Sequence, residues 1–443
     1  ILFCVFAFST RKIKYKLHEK QFTVFSGLAR RLVALFLSIL MLASGIMFGV
    51  EKLSLKKLYT AYMDESPYIE ENFADPNKIN MTFPEKKRNL IHIYLESMEN
   101  SYFSKELGGY MDVNLMPELE KLSREGYNFS DLPKGFGGNP NSTGANWSIA
   151  SMVNMCSGLP MKVPASPNSY GSADNFLPGA TTLGDILKEQ GYNQTVMFGA
   201  EAAFGGLEYL FRQHGDYKIM DWKYAHDNGM IPEDYYVWWG YEDDKLYEFA
   251  KDELTRLANE DKPFYFVMET ADTHFPDGYL SEKATAPFEK PYANAIFYSQ
   301  AEAAKFIRWI QSQPFYENTT IVINGDHLSM DQAFFRDFDP NYRRTCFNLI
   351  LNPVPKCAAA PENRFHNREW ATFDMLPTML ASIGVEFDGD KVGIGTNLFS
   401  DTPTLFERDG TDFVNAELEK RSNFYNENIL VDWSKIVSKK EDD

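Results

Sequence analysis

Apolar positions along this chain fall into two regimes. The first is a continuous run over residues 32–50, 19 uncharged and mostly apolar positions. As a helix rising 1.5 Å per residue it reaches roughly 28 Å, about the thickness of a bilayer core. A shorter apolar stretch, residues 1–8, precedes it and reads as the end of an earlier membrane helix. The second regime begins near Arg88, where short β-rich apolar runs alternate with amphipathic segments. Strands are expected at 89–95, 194–198, 264–268, 320–324 and 346–351. Helices are expected at 116–125, 182–190, 243–259, 298–312 and 372–383. Strands alternating with helices specify the α/β class, with a mainly parallel central sheet and helices on both faces.

The pattern divides the chain into four parts. Residues 1–50 form a membrane region: the end of one helix, a basic loop, and a transmembrane helix over 32–50. Residues 51–87 read as a juxtamembrane helix followed by a polar, Pro-containing linker. Residues 88–408 form the folded body, and 409–443 a polar, helix-leaning tail that packs on the body or stays partly disordered.

Charge adds an orientation. Residues 1–50 carry Arg11, Lys12, Lys14, Lys16, Lys20, Arg30 and Arg31 against Glu19 alone, a net +6. The whole chain is −18, which leaves −24 for residues 51–443. The excess of Lys and Arg places loop 11–31 in the cytoplasm and everything after Val50 outside. An acidic body excludes nucleic acid as a partner, because a phosphate backbone demands a basic face. A cleaved signal peptide is the competing account of 32–50; the apolar stretch and basic loop ahead of it favour a membrane helix. Of the four Cys, Cys4 falls in the first apolar stretch. Cys346 and Cys357 bracket FNLILNPVPK and would close a small disulfide loop in an oxidising compartment, leaving Cys156 unpaired.

Chemistry is expected beyond the carboxyl ends of the strands, where open α/β sheets bind their ligands. Three of the expected strands run into polar groups there. Segment 89–95 ends at Glu96; 264–268 leads to Glu269, Asp272 and His274; 320–324 leads to Gly325, Asp326 and His327. Carboxylates and imidazoles are the donors that suit Mn²⁺ or Zn²⁺. A carboxylate after a strand is equally often an ordinary helix cap, so the individual signals are weak. The pair Asp326-His327 says more, since Gly325 permits a tight turn that aims both side chains outward. Segment 134–152, KGFGGNPNSTGANWSIASM, is rich in Gly, Asn and Ser and then turns apolar, as though entering a helix. Backbone amides at a helix start favour an anion. A hydroxyl held there beside a metal loses its proton more readily and attacks phosphorus. Its composition alone equally describes a flexible surface loop.

Taken in order, NLIHIYLES (89–97), GANWSIASM (144–152), ETADTHFP (269–276), INGDH (323–327), FDMLPTMLASIGV (373–385) and GTNLFS (395–400) resemble the phosphoglycerol transferases of the alkaline phosphatase and sulfatase superfamily. That group includes lipoteichoic acid synthases and the enzyme that decorates periplasmic glucans. The resemblance covers roughly Arg88 to Phe399. It implies a divalent metal, commonly Mn²⁺ with Zn²⁺ or Mg²⁺ as alternatives, held by Glu96, Ser148, Asp326 and His327. It also implies Ser148 as the nucleophile, His274 as a catalytic and substrate-contacting imidazole, and Asn146 and Trp147 as substrate-binding neighbours. Relatives usually carry Thr at the Ser148 position; Ser keeps the hydroxyl without the methyl that restricts χ1. Ser142 and Thr143 are nearby alternatives, and Glu269 and Asp272 are candidates to orient His274.

The resemblance further implies phosphatidylglycerol as donor, an envelope acceptor, and a bacterial inner membrane location with the catalytic domain outside. Lipoteichoic acid synthases grip glycerol-phosphate with a His/Trp/Arg cluster. Here the comparable stretch, 198–215, offers mostly Gly and apolar residues, which points to a glycan acceptor rather than a growing polymer. A formylglycine sulfatase needs Cys or Ser followed by x-Pro-x-Arg. Neither Ser148-Ile149-Ala150-Ser151 nor Cys156-Ser157-Gly158-Leu159 fits. Phosphoethanolamine transferases share the metal logic, and a catalytically decayed envelope-binding domain would keep the fold without the metal.

Overall fold

The structure, a computed structural model, describes residues 13–17, 20–25, 27–52, 55–162 and 176–430. The expected helix end at 1–8, with Cys4, lies outside the described residues, as does the tail beyond residue 430. The chain separates into two units, divided between Glu65 and Ser66.

In the first unit, β1 (Ile13–Leu17) and β2 (Lys20–Phe25) pair as an antiparallel hairpin where the sequence suggested only a basic loop. QFTVF within β2 is aromatic and β-branched, which suits a strand and outweighs the scattered charge. Helix α1 (Gly27–Lys52) follows, and Leu35, Phe36, Met41 and Met47 stand exposed on it. Its Gly27–Val50 portion is long and apolar enough to cross a membrane, with outward apolar side chains suited to lipid.

The second unit is built on a six-stranded sheet. A two-residue ladder between β3 (Met81–Thr82) and β10 (Glu386–Phe387) lies outside it. The sheet strands are β4 (Asn89–Leu95), β5 (Asn193–Phe198), β6 (Lys218–Met220), β7 (Phe264–Glu269), β8 (Thr319–Gly325) and β9 (Asn348–Leu351), in the order β6-β5-β7-β4-β8-β9. All neighbours are parallel except β8 and β9. Every residue of β4, β7 and β8 is buried, which is why these segments read as continuous apolar runs rather than alternating ones.

Side chains alternate between two cores. Leu90, Tyr94, Val196, Val267 and Val322 pack on one side with helices α3 (Ser148–Ser157), α4 (Leu183–Glu189) and α7 (Met375–Ser382). Ile91, Ile93, Phe266, Met268 and Ile323 pack on the other with α2 (Pro117–Ser123), α5 (Asp243–Ala258) and α6 (Pro291–Gln311). The architecture is the helix-covered, mainly parallel sheet that the sequence pattern specifies.

Three local expectations change. Helix α6 starts at Pro291, earlier than the apolar periodicity indicated, because proline's fixed φ suits the first helical turn. Cys346 precedes β9 and makes single bridges to Glu99 and Asn139 instead. The disulfide is not formed: Cys156, Cys346 and Cys357 are all free and buried. The Cys357 thiol instead donates to the Ala381 carbonyl at 3.4 Å. After Asp409 the chain is helical at Thr411–Glu419 and Asn423–Asn428 and buries Val414, Leu418 and Tyr425.

Candidate active site

Strands β7, β4 and β8 lie side by side and run parallel, so their carboxyl ends deliver Glu269, Glu96 and the Asp326-His327 pair to one edge of the sheet. Tyr94 is level with both Glu269 and Asn324. Pairing continues one step past the strands, with the Thr270 amide donating to Tyr94 O (3.0 Å) and the Asp326 amide to Leu95 O (3.2 Å). Gly325 makes this possible by allowing a close approach: a Cβ there would sit 1.9 Å from the Met98 carbonyl oxygen. From the opposite direction α3 begins at Ser148, preceded by extended Trp147. The Ser148 hydroxyl lies 3.4 Å from Glu96 Oε2.

Glu96, Asp326 and His327 are buried, and one ligand atom from each lies within 4.8 Å of the others. His327 Nε2 is 3.3 Å from Asp326 Oδ2 and 3.8 Å from Glu96 Oε1. Asp326 and His327 are each fixed through their other atom. Asp326 Oδ1 accepts the amides of Ser97 (2.7 Å) and His327 (2.8 Å), while Oδ2 has no hydrogen-bond partner. His327 Nδ1 donates to Leu328 O at 2.9 Å, which leaves the Nε2 lone pair for the cluster. Glu96 Oε1 accepts from Ser97 Oγ at 2.6 Å. Outer bonds of this kind set the tautomer and orientation of metal ligands.

Burial, followed by the neighbouring carboxylates, pushes the Asp326 and Glu269 carboxyls well above their ordinary range. Like charges gathered out of water call for a compensating cation. Two carboxylate oxygens, an imidazole nitrogen and a hydroxyl oxygen are a donor set that fits a divalent ion such as Mn²⁺, Zn²⁺ or Mg²⁺. The orphaned Asp326 Oδ2 is the atom such an ion would satisfy.

His274 follows β7. Its Nδ1 donates to Phe275 O at 2.6 Å, and its ring lies edge-on to Trp239 with centroids 5.0 Å apart. Burial holds its pKa below the ordinary imidazole value. Neither carboxylate expected to orient it does so. Asp272 instead accepts the Asp243 amide at the start of α5 (3.2 Å), and Glu269 lines the cleft with its Oε1 making no hydrogen bond. The alternative nucleophiles are engaged elsewhere: Ser142 Oγ pairs with Thr372 Oγ1 (3.3 Å), and Thr143 Oγ1 donates to Asn415 O (3.2 Å).

Glu96, Asn146, Trp147, Ser148, Glu269, His274 and His327 all line one cleft of about 440 Å³. Its remaining walls include Ala200, Phe204, Gly205, Leu207, Trp239, Phe275 and Met330. No Lys or Arg lines it among the described residues. A larger cavity of about 700 Å³, between Arg124, Tyr127, Phe136 and Phe365, contains none of the clustered groups. Chemistry rather than size therefore selects the smaller cleft. Sequence reasoning missed Trp239, Phe204 and Met330. The available signal was the adjacent Trp238-Trp239 pair within the aromatic run from Tyr235 to Tyr241.

Comparison with known proteins agrees with this geometry. Residues 88–349 match the family model described as Sulfatase. Phosphoglycerol transferase I of Escherichia coli O127:H6 is 31% identical over 302 residues, covering 66% of this chain and 37% of that protein. Its counterpart in Shigella flexneri is 31% identical over 315 residues, 69% of this chain and 39% of that protein. The chain thus spans well under half the length of these curated relatives. Among solved structures, an alkaline phosphatase superfamily protein from Vibrio parahaemolyticus superposes with a TM-score of 0.56 at 24% identity, covering 76% of each chain. A lipoteichoic acid synthase from Listeria monocytogenes gives 0.53 at 17% identity, covering 75% of this chain and 80% of that one. These two share the fold.

Proposed function

Because the chain belongs to the Sulfatase family, we propose that it transfers a glycerol-phosphate group from phosphatidylglycerol to a hydroxyl of a cell-envelope glycan, through a phosphodiester formed on Ser148. One observation carries this reading: the hydroxyl at the start of α3 stands beside Glu96, in a cleft shared with His327 and His274. The similarity to phosphoglycerol transferase I supports the cargo. Helix α1 would tether the domain to the bilayer that contains the donor, on the outer side of a bacterial inner membrane.

Glu96, Asp326, His327 and Ser148 would hold the divalent ion, Mn²⁺ first among candidates, whose positive charge favours the serine alkoxide and offsets the phosphoryl oxygens. In the first half-reaction Ser148 Oγ attacks phosphorus and its proton passes to Glu269, a carboxylate that shares the cleft. The bond from phosphorus to the diacylglycerol oxygen breaks, and that oxygen takes a proton from the His274 imidazolium. The burial that lowers the pKa of His274 makes its imidazolium a stronger acid. The second half-reaction runs the same steps in reverse. An acceptor hydroxyl gives its proton to His274 Nε2 and attacks phosphorus, and Ser148 leaves and regains its proton from Glu269. The lack of Lys or Arg in the cleft among the described residues supports a neutral glycan acceptor over a polyanionic chain.

Incubation with fluorescent phosphatidylglycerol and Mn²⁺ tests the reading, with diacylglycerol release expected from the wild type. Turnover of phosphatidylethanolamine in its place would replace the glycerol-phosphate cargo with phosphoethanolamine.

A further inference from the structure

We infer that Phe204, Trp239 and Met330 form a subsite for the glycerol backbone and first acyl methylenes of the departing diacylglycerol. The inference rests on the donor proposed above, and it assigns residues that the transfer chemistry does not use.

Three observations lead there. In the second unit, the large apolar side chains more than about a third exposed, among the described residues, are Val113, Phe204, Tyr236, Met330 and Phe413. Phe204, 54% exposed, and Met330, 42% exposed, line the cleft that holds Ser148, and Tyr236 belongs to the loop that carries Trp239. Exposed apolar surface gathered at one cleft marks a binding site rather than random surface composition.

The second observation is a path. The Phe204 ring lies 5.4 Å from the Trp239 ring, and the Trp239 ring lies 5.0 Å from His274. His274 is the group that protonates the leaving oxygen, so the substituents on that oxygen meet Trp239 and then Phe204 as they leave the reaction centre. Gly205 and Gly206, at φ +66° and +86°, turn the chain sharply just after Phe204 in a conformation that other residues adopt poorly. This turn leaves the Phe204 ring exposed at the cleft.

The third observation is charge. The deep part of the cleft gathers carboxylates and imidazoles fit for a metal-bound phosphoryl group, while its exposed lining is apolar at Phe204 and Met330 with one carboxylate, Glu201, and no Lys or Arg lines the cleft among the described residues. A polar depth under a mainly apolar rim matches an amphiphile, with the phosphodiester below and alkyl carbon above. Methionine adds an adaptable wall that accepts chains of differing shape.

The test compares kcat/KM for two water-soluble, monomeric donors, dibutanoyl- and dihexanoyl-phosphatidylglycerol, with full-length protein and Mn²⁺. The wild type should prefer the longer chain by roughly fourfold for each methylene that enters the rim. In the Phe204→Ser/Met330→Ser variant this ratio should fall to about twofold or less. A ratio near one in the wild type, or an unchanged ratio in the variant, overturns the subsite. An unchanged ratio with a raised KM for the glycan acceptor would assign the rim to the acceptor instead. The same chain-length pair in phosphatidylethanolamine separates the two claims. Turnover of those lipids alone overturns the donor reading, while their ratio still decides the subsite; turnover of neither headgroup overturns both. Because both substituted side chains are exposed, a thermal melt matching the wild type confirms that the variant is folded.

Discussion

The Ser148 hydroxyl lies 3.4 Å from Glu96 Oε2, although 52 positions separate them in the chain. One ends the approach to a helix and the other follows a strand, and the parallel sheet brings those two kinds of terminus together. The contact joins the residues proposed as nucleophile and metal ligand.

The cluster should respond to metal as a binding site does. Adding Mn²⁺ to chelator-treated protein should raise the Tm, because an ion that binds only the folded state stabilises it by about 2.7 kcal/mol at a hundredfold excess over Kd. Asp326→Asn should abolish that rise, since the partnerless Oδ2 would become an amide that cannot neutralise a cation. The metal-free variant should melt no lower than the metal-free wild type, because the substitution relieves repulsion with Glu96. A wild type indifferent to divalent ions, by calorimetry and by elemental analysis, would contradict this.

Ser148→Thr should retain turnover within about tenfold, as the added methyl restricts χ1 without removing the hydroxyl. Steady-state diacylglycerol release measures it. A loss as large as that of Ser148→Ala would show that α3 has no room for the branch.

Beside the site, Glu99 is fully buried and bound by Arg344, whose Nε donates to Glu99 Oε2 at 2.9 Å and whose Nη2 donates to Ser329 O at 2.7 Å. Removing the arginine strands a buried carboxylate. Arg344→Ala should therefore cost about 3–5 kcal/mol in urea unfolding. Glu99→Gln combined with Arg344→Met should cost less than Arg344→Ala, because no charge is left alone.

His92, buried in β4 and bonded through Nε2 to Asn324 at 3.0 Å, has its pKa lowered from 6.5 to about 3, chiefly by burial. The unfolded chain takes up this proton below pH 6.5 while the folded chain refuses it. Its contribution to stability is therefore present above pH 6.5 and is lost as the pH falls toward 3, at up to about 1.4 kcal/mol per pH unit. Buried Asp326 and Glu269, with raised pKa values, work in the opposite direction, so the comparison must be differential. Urea midpoints measured across this range should decline less steeply for His92→Gln than for the wild type. Parallel curves would contradict the assignment.

Much of this architecture was legible because β4, β7 and β8 are buried on both faces and so appear as unbroken apolar runs bounded by polar residues. Strand β6 was not, since three residues give no periodicity to read. Glu96, Asp326 and His327 were legible as polar groups directly after strands. Their mutual approach was not, because the strand order 7-4-8 is set by packing between distant segments. Glu269 was noticed but given the wrong neighbour. It lines the cleft beside Ser148 without bonding His274, a placement fixed by where α3 docks and not by any local pattern. Trp239 and Phe204 look like ordinary core aromatics in sequence, and only the fold shows them beside His274 at a cleft.

The central claim is a covalent intermediate on Ser148, and trapping it is the most direct measurement. Wild-type protein with Mn²⁺ should be mixed with phosphatidylglycerol in the absence of acceptor, quenched in acid and digested for mass spectrometry. The peptide containing Ser148 should gain one glycerophosphoryl group, with the fragment ions placing it on that serine, and the Ser148→Ala protein should show neither adduct nor diacylglycerol release. Diacylglycerol released by Ser148→Ala at the wild-type rate, or an adduct on another residue, would contradict the account.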